Sequence, residues 1–252
     1  MDINIISSRR NPMIMHLRKL NMDRGYRRET GLFLCAGLKL LNDAANAGME
    51  IAEVIYSGRR PDIPDKAKVA AVTEDILKYA SSMKSAPDVL FSCKIRSAGF
   101  NIEEGKYIIL ENVQDPGNIG TVIRTANAFN FDAVILAGAC ADPYGPKAVR
   151  ASMGAVFRQK IIETGSADLV RMFKEKNIPL YAASTDHNSV DIRQAKIPDF
   201  LGIAIGNEGR GLSDVVTGAK TGGLRIPMNP MSESLNAAAA AAILMWELYR
   251  LS

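Results

Sequence analysis

Cysteine and histidine are too scarce in this chain to build the sites that depend on them. Only three cysteines and two histidines occur among 252 residues. Cys35, Cys93 and Cys140 are scattered, odd in number and without C-x-x-C spacing, so neither a disulfide framework nor a zinc site is expected. His16 and His187 stand far apart and offer no metal set and no catalytic triad. No apolar run reaches the length of a membrane span. The longest, Ala237 to Trp246, is too short and rich in small residues. The first residues lack the basic-then-apolar layout of a signal peptide. The expectation is a cytoplasmic, reduced setting with no membrane partner and no metal. Internal repeats and low-complexity tracts are also missing. What remains is an ordinary globular composition, 47% hydrophobic and 23% charged, long enough for one large or two modest domains.

The net charge of +4 is small but unevenly placed. Residues 1–106 hold 17 Lys/Arg against 13 Asp/Glu, whereas residues 107–252 hold 14 of each. Near the start, Arg9, Arg10, Arg18, Lys19, Arg24, Arg27 and Arg28 face only Asp2 and Asp23. Such a cluster fits a surface that contacts a phosphate backbone, and it equally fits a solvated helical face.

The stretch from Asn112 to Ala126 carries the most information. It follows the apolar run Tyr107-Ile-Ile-Leu110 and reads as a buried strand, a Pro/Gly turn and a helix bearing Arg124. A turn at the carboxyl end of a strand is where open α/β sheets hold their ligands. Two later segments add to it. Leu201 to Ser213 is a hydrophobic strand breaking into a Gly-rich loop. Leu224 to Asn236 is a short strand, a proline-stiffened loop and Ser-Leu-Asn before an Ala-rich helix.

In this order, Asp115-Pro-x-Asn118-x-Gly120-x-x-x-Arg124, Gly206-Asn-Glu208-Gly-x-Gly211-Leu, Ile226-Pro-Met and Ser234-Leu-Asn236 resemble the three motifs of the SpoU/TrmH-type RNA ribose 2′-O-methyltransferases, of the SPOUT class. The resemblance spans roughly Tyr107 to Ser252. It implies an α/β fold whose C-terminal parallel-sheet domain carries a deep trefoil knot, preceded by a small α/β RNA-binding domain. Knots are rare in chain topology, and periodicity alone gives no sign of one. The resemblance also implies S-adenosylmethionine as methyl donor, RNA as substrate with ribosomal RNA favoured over transfer RNA, and a homodimer formed through the C-terminal domain.

The same resemblance points to Arg124, Asn118, Glu208, Ser234 and Asn236 as the catalytic set. It surrounds the cofactor with Thr185, Gly206, Asn207, Gly211, Ile226, Met228, Ser234 and Leu235. The planar, strongly basic guanidinium suits a clamp on phosphate and developing alkoxide better than a base. Asn118 reads as an orienting hydrogen-bonder or as the cap of a helix starting near Ile119. Glu208 reads as a partner of Arg124 or another basic group, or as a solvated carboxylate. Ser234 and Asn236 at a helix entrance also suit capping. The family commonly continues Ser-Leu-Asn with Val-Ser, where this chain has Ala237-Ala238, so position 238 loses a hydroxyl. The segment Pro143 to Phe157 is similar to another family segment, with Lys147 and Arg150 as phosphate contacts and Ser152 and Gly154 as pocket-shaping residues. Beside these motifs, Arg9, Arg10, Arg18, Lys19, Arg27 and Arg28 are expected to touch RNA.

The N-terminal third predicts helices over Asn11–Leu20, Leu38–Ala47 and Glu74–Ala80, with strands at Leu32–Cys35, Val54–Tyr56 and Val69–Val72. The expected layout is a small α/β domain over residues 1–95, a linker over 96–106 and the methyltransferase domain over 107–252. Strands are expected at Tyr107–Leu110, Ala133–Leu136, Leu180–Ser184, Leu201–Ile205 and Leu224–Ile226, with helices between. The Ala-rich helix after Leu235, with Trp246 and Leu248, is expected to be core first and dimer interface second. Two other readings stand beside this one. One is a non-catalytic RNA-binding protein on the same fold, such as a ribosome-assembly factor. The other is a Rossmann-type nucleotide enzyme, for which the first strand lacks G-x-G-x-x-G.

Overall fold

The first helix of the computed structural model starts where the sequence predicts. The Asn11 side chain accepts from the Met13 N–H at 2.9 Å, and Pro12 pre-sets the helical φ. The structure describes residues 5–63, 66–96, 102–184, 186, 188–229, 231–232 and 234–250. Helix α1 (Pro12–Met22) leads to α2 (Arg24–Thr30), β1 (Leu32–Ala36), α3 (Leu38–Asn46), β2 (Ile51–Tyr56), β3 (Lys68–Ala71), α4 (Glu74–Ser81) and β4 (Val89–Lys94). Next come β5 (Lys106–Glu111), α5 (Pro116–Ala128), β6 (Ala133–Ala137), α6 (Pro146–Ser152), β7 (Ile161–Thr164) and α7 (Ser166–Glu175). The remainder is β8 (Leu180–Ala183), β9 (Val190–Asp191), β10 (Leu201–Ile205), α8 (Asp214–Ala219), β11 (Gly222–Arg225) and α9 (Ala237–Arg250).

Two compact units form, Met1–Ser97 with Tyr144–Phe157, and Ala98–Pro143 with Arg158–Ser252. The Tyr144–Phe157 segment therefore groups with the first unit. Its physical reason is aromatic packing: Tyr144 and Phe157 lie 5.1 and 6.2 Å from the Phe33 ring, beside an α6 that packs on β1. Of the expected linker over 96–106, residues 97–101 lie outside the described residues. Ile102 is buried in the second unit, where the Tyr107 hydroxyl also donates to the Glu103 carbonyl at 2.8 Å.

The first unit holds a four-stranded sheet in the order β1-β4-β2-β3. Only the β2–β3 pair is parallel. Leu17 and Leu20 of α1 and Ile76 and Leu77 of α4 bury against Leu34, Ile55 and Leu90 of the sheet, which follows from helical and strand periodicities meeting on one face. The central strand β4 had no sequence expectation, since a short apolar run does not distinguish strand from helix. Burial pushes the Cys35 thiol well above its usual pKa, with neighbouring Cys93 adding to the effect, so this pair behaves as small core hydrophobes.

The second unit is a seven-stranded, wholly parallel sheet in the order β7-β6-β5-β10-β8-β11-β9. β6 and β10 are buried along their whole length and β5 from Tyr107 onward, as near-continuous apolar strands covered on both faces should be. Tyr107 meets Phe173 of α7 edge-to-face at 5.8 Å. From β5 the chain moves outward to β6 and β7. From β10 it moves the other way to β11. The carboxyl ends of β5 and β10 therefore flank a topological switch point, where such sheets open a crevice.

Two details differ from the sequence expectation in ways that matter for the site. Helix α5 starts at Pro116, because the Asp115 side chain accepts from Gly117 N–H at 2.6 Å and caps it. That removes the capping role considered for Asn118. Strand β11 ends at Arg225, so Ile226 leaves the sheet instead of closing it.

Candidate active site and cofactor cavity

The loops after β5 and β10 are tied together by one asparagine and one buried glutamate. Asn112 turns the chain in the left-handed region, with φ 57°, which asparagine tolerates better than most residues. Its carbonyl accepts from Asn207 Nδ2 at 3.1 Å. Asn207 Oδ1 in turn accepts from the Gly209 and Arg210 N–H groups at 3.0 and 3.1 Å. The Asn207 and Gly211 backbones bond each other in both directions, at 3.1 and 2.9 Å. Gly206 permits this closure. A Cβ there would stand 2.2 Å from the Gly211 carbonyl carbon and 2.4 Å from the Leu212 nitrogen. The missing Cβ thus serves the loop's own backbone.

Glu111 at the end of β5 is fully buried, yet it faces hydroxyls instead of a cation. It accepts from Ser213 N–H at 2.8 Å, from Ser213 Oγ at 2.7 Å and from Ser166 Oγ. This carboxylate fixes the far end of the 206–213 loop at the start of α8. The sequence reading missed it, because a Glu closing an apolar run looks like a strand end. The only available signal was a charged residue adjoining four buried ones. Glu111→Ala leaves a part-buried N–H and two part-buried hydroxyls without their acceptor and should cost about 1–3 kcal/mol. A lowered thermal unfolding midpoint checks this. An unchanged midpoint would contradict it.

The three motif segments meet in a second hydrogen-bond chain. Asn118 Nδ2 donates to Glu208 Oε1 at 2.6 Å, and Asn236 Nδ2 donates to Asn118 Oδ1 at 3.0 Å. Asn236 Oδ1 then accepts from the Ala238 and Ala239 N–H groups at 3.0 and 3.3 Å, capping α9. Each amide uses its donor and acceptor in only one sense, so the chain of bonds has a fixed direction. Glu208 pairs with Asn118, and not with Arg124. Ala238, where the family has a hydroxyl, is buried and gives only its N–H to Asn236.

Beside this chain lies a cavity of about 340 Å³. Gly206, Asn207, Gly211, Ile226, Met228, Ser234 and Leu235 line it; Thr185 lies outside the described residues. Ala182, Ala183, Ile205, Leu224, Ala237 and Ala240 give it an apolar floor, and Ser184, Thr217, Glu208 and Lys220 give it polar edges. Apolar walls with a few placed polar groups suit a nucleoside-bearing ligand. The residues present therefore fit S-adenosylmethionine.

Arg124 lies on the exposed side of α5 and makes no hydrogen bond or ion pair with any described residue. It does not line the cavity of its own chain. Phe129, just beyond α5, clusters with Trp246 and Tyr249 of α9 at ring separations of 5.7 and 5.5 Å. Trp246 is 50% and Tyr249 45% exposed, so the expectation of core burial holds for Leu248 and fails for Trp246.

Among the basic residues, Arg27 needs correction as an RNA contact. It is buried, and its guanidinium donates to the Leu20 and Asn21 carbonyls at the end of α1. Arg9 pairs with Asp75 and lies over the Tyr79 ring at 4.8 Å. Arg18 covers the same ring at 4.0 Å and donates to the Tyr79 carbonyl, while Lys19 lies over Tyr26 at 4.0 Å. Arg10, Arg28, Lys147 and Arg150 are exposed on the first unit. Ser152 and Gly154 belong to that unit too, Ser152 donating to the Val149 carbonyl and Gly154 lying against Asp43, and neither shapes the cavity. His16 is held by the Tyr26 hydroxyl at 2.8 Å and Glu53 at 3.2 Å, and His187 lies outside the described residues. Among the described residues no three metal-ligating side chains converge and no helix is long and apolar enough to cross a membrane.

A parallel sheet with a cavity at its switch point, where three motif loops converge, has the architecture expected of the SPOUT-type methyltransferases. The family model described as SpoU rRNA Methylase family matches residues 105–246, and the chain belongs to that family. Residues 11–91 match a second model, the MRM3-like substrate binding domain. The chain is 26% identical over 246 residues to the Bacillus subtilis 23S rRNA (guanosine(2553)-2′-O)-methyltransferase, covering 96% of this chain and 98% of that protein. The AdoMet-bound rRNA methyltransferase from Sinorhizobium meliloti superposes with a TM-score of 0.88 at 28% identity, covering 99% and 98% of the two chains. The SpoU methyltransferase AviRb from Streptomyces viridochromogenes, in complex with AdoMet, gives 0.84 at 26% identity, covering 96% and 98%. Membership of this fold class implies the trefoil knot.

Proposed function

We propose that this chain transfers a methyl group from S-adenosylmethionine to the 2′-hydroxyl of a ribose in structured RNA, with ribosomal RNA favoured over transfer RNA. The observation that carries the reading is the Asn236–Asn118–Glu208 chain of hydrogen bonds beside a cavity fit for the cofactor. A protein that only bound RNA would have no use for three motifs joined in this way. Relatives named as 23S rRNA 2′-O-methyltransferases support the ribosomal substrate.

When bound, the cofactor supplies a methyl group on a sulfonium sulfur, activated for in-line transfer. The chain's own residues do the rest. Gly206, Ile226, Met228 and Leu235 would hold the adenosine between backbone and apolar walls. Glu208 and Asn118, already fixed by Asn236, orient the ribose. The planar guanidinium of Arg124 stabilises negative charge developing on the 2′-oxygen, while that hydroxyl's proton leaves to water or a phosphate oxygen. Arg10, Arg18, Lys19 and Arg28 of the first unit, with Lys147 and Arg150, supply phosphate contacts.

A homodimer through the C-terminal domain completes this reading, in a cytoplasmic setting. The exposed Trp246 and Tyr249, clustered on the half-buried Phe129, support it, as does an Arg124 outside the cavity lining of its own chain, which a second copy would supply. W246E should sediment as a monomer and lose methyl transfer; a dimeric, active W246E would contradict the interface. Calorimetric titration with S-adenosylmethionine separates enzyme from non-catalytic binder. No binding at millimolar cofactor would end the enzyme reading.

A further inference from the structure

We propose that Lys220 recognises the α-carboxylate of the methionine moiety of S-adenosylmethionine. This rests on the cofactor reading above and adds to it the residue that selects the amino-acid end of the ligand. Lys220 follows the last turn of α8 in an extended conformation, with φ −65° and ψ 139°. The residue after it is pinned in both directions. Thr221 N–H donates to the Leu180 carbonyl at 2.7 Å, and Leu180 N–H donates to Thr221 Oγ1 at 3.1 Å. The lysine therefore springs from a fixed backbone at the cavity edge.

Among the described residues that line the cavity, the charged ones are Glu208 and Lys220. Glu208 is already engaged by Asn118, whereas the Lys220 ammonium has no hydrogen bond or ion pair with any described residue. S-adenosylmethionine carries two positive groups, the sulfonium and the α-ammonium, and one negative group, the α-carboxylate. Adenine and ribose are neutral. An unpaired ammonium repels both cations of the ligand and has one ionic complement in it, the carboxylate. Glu208 at the motif network attracts the cations instead. A pair of opposite charges lining one cavity thus matches the charge pattern of an amino acid joined to a sulfonium, and sets its direction.

The test is calorimetric titration of the full chain with three probes: S-adenosylmethionine, S-adenosylhomocysteine and 5′-methylthioadenosine, which lacks the amino-acid portion. K220M should weaken the first two by about tenfold, the effect of losing one charge-assisted hydrogen bond at a partly open site. It should leave methylthioadenosine within about twofold of wild type, because independent parts of a ligand contribute separately. K220R should keep most of the affinity for all three. K220M binding all three probes as wild type does would overturn the proposal and make Lys220 a solvated side chain. Equal weakening of methylthioadenosine and S-adenosylhomocysteine would also overturn it, since the contact would then be to adenosine or to the fold. Failure of the wild-type chain to bind any probe would instead overturn the cofactor reading itself.

Discussion

Arg124→Ala should fold normally, bind S-adenosylmethionine normally and transfer methyl groups on the order of 10²–10³ times more slowly. The side chain is exposed and unpaired among the described residues, so its loss disturbs no packing and no buried bond. Exposed positions of this kind change stability by about 0.5 kcal/mol or less. In the proposed mechanism the guanidinium acts only when negative charge develops on the ribose oxygen, which would confine its effect to the chemical step. Arg124→Lys should also be badly impaired, because a point charge does not reproduce a planar fork of donors. Single-turnover methyl transfer at saturating RNA measures this. A rate for the alanine variant within about threefold of wild type would remove Arg124 from the catalytic set.

Gly206→Ala should act on the opposite half of the mechanism. Its methyl would stand 2.2 to 2.4 Å from backbone atoms of Gly211 and Leu212, which have no side-chain torsion through which to yield. The loop must open, and the paired Asn207–Gly211 backbone bonds go with it. Overpacking of this kind costs about 1–3 kcal/mol. Taken from the bound state, its upper end weakens cofactor binding by on the order of 100-fold. Calorimetry should show that loss, with RNA binding by the full chain preserved. Cofactor binding within about threefold of wild type would mean that the loop closure does not shape the cavity.

The parallel sheet was legible because β6, β10 and the Tyr107–Leu110 stretch of β5 are unbroken apolar runs, and the motif loops because Gly, Pro and Asn mark turns wherever they cluster. Gly206, Ile226 and Ser234 were grouped through the family resemblance of their motifs, and the structure brings all three to the lining of one cavity. Glu111, Arg27 and Lys220 could not. Whether a charged side chain points inward depends on partners far away in sequence: Ser213 lies 102 residues from Glu111. Arg27 belonged to a basic cluster by composition, yet α2 turns it beneath the end of α1, where free carbonyls accept from it. The grouping of Tyr144–Phe157 with the first unit was hidden for the same reason. It rests on rings meeting Phe33, more than 100 residues earlier, and periodicity carries no information about such pairings. Asn118 shows the intermediate case. Its position in a motif was plain, while its partners, Glu208 and Asn236, depended on three loops converging.

Ribosomal RNA from a strain lacking this gene, incubated with the purified chain and methyl-labelled S-adenosylmethionine, tests the central claim most directly. After complete digestion to nucleosides, the account predicts label in one 2′-O-methylated nucleoside, appearing on the order of 10²–10³ times more slowly when Arg124 is alanine. Cofactor that binds without any transfer to RNA, or label on a base instead of a ribose, would contradict it.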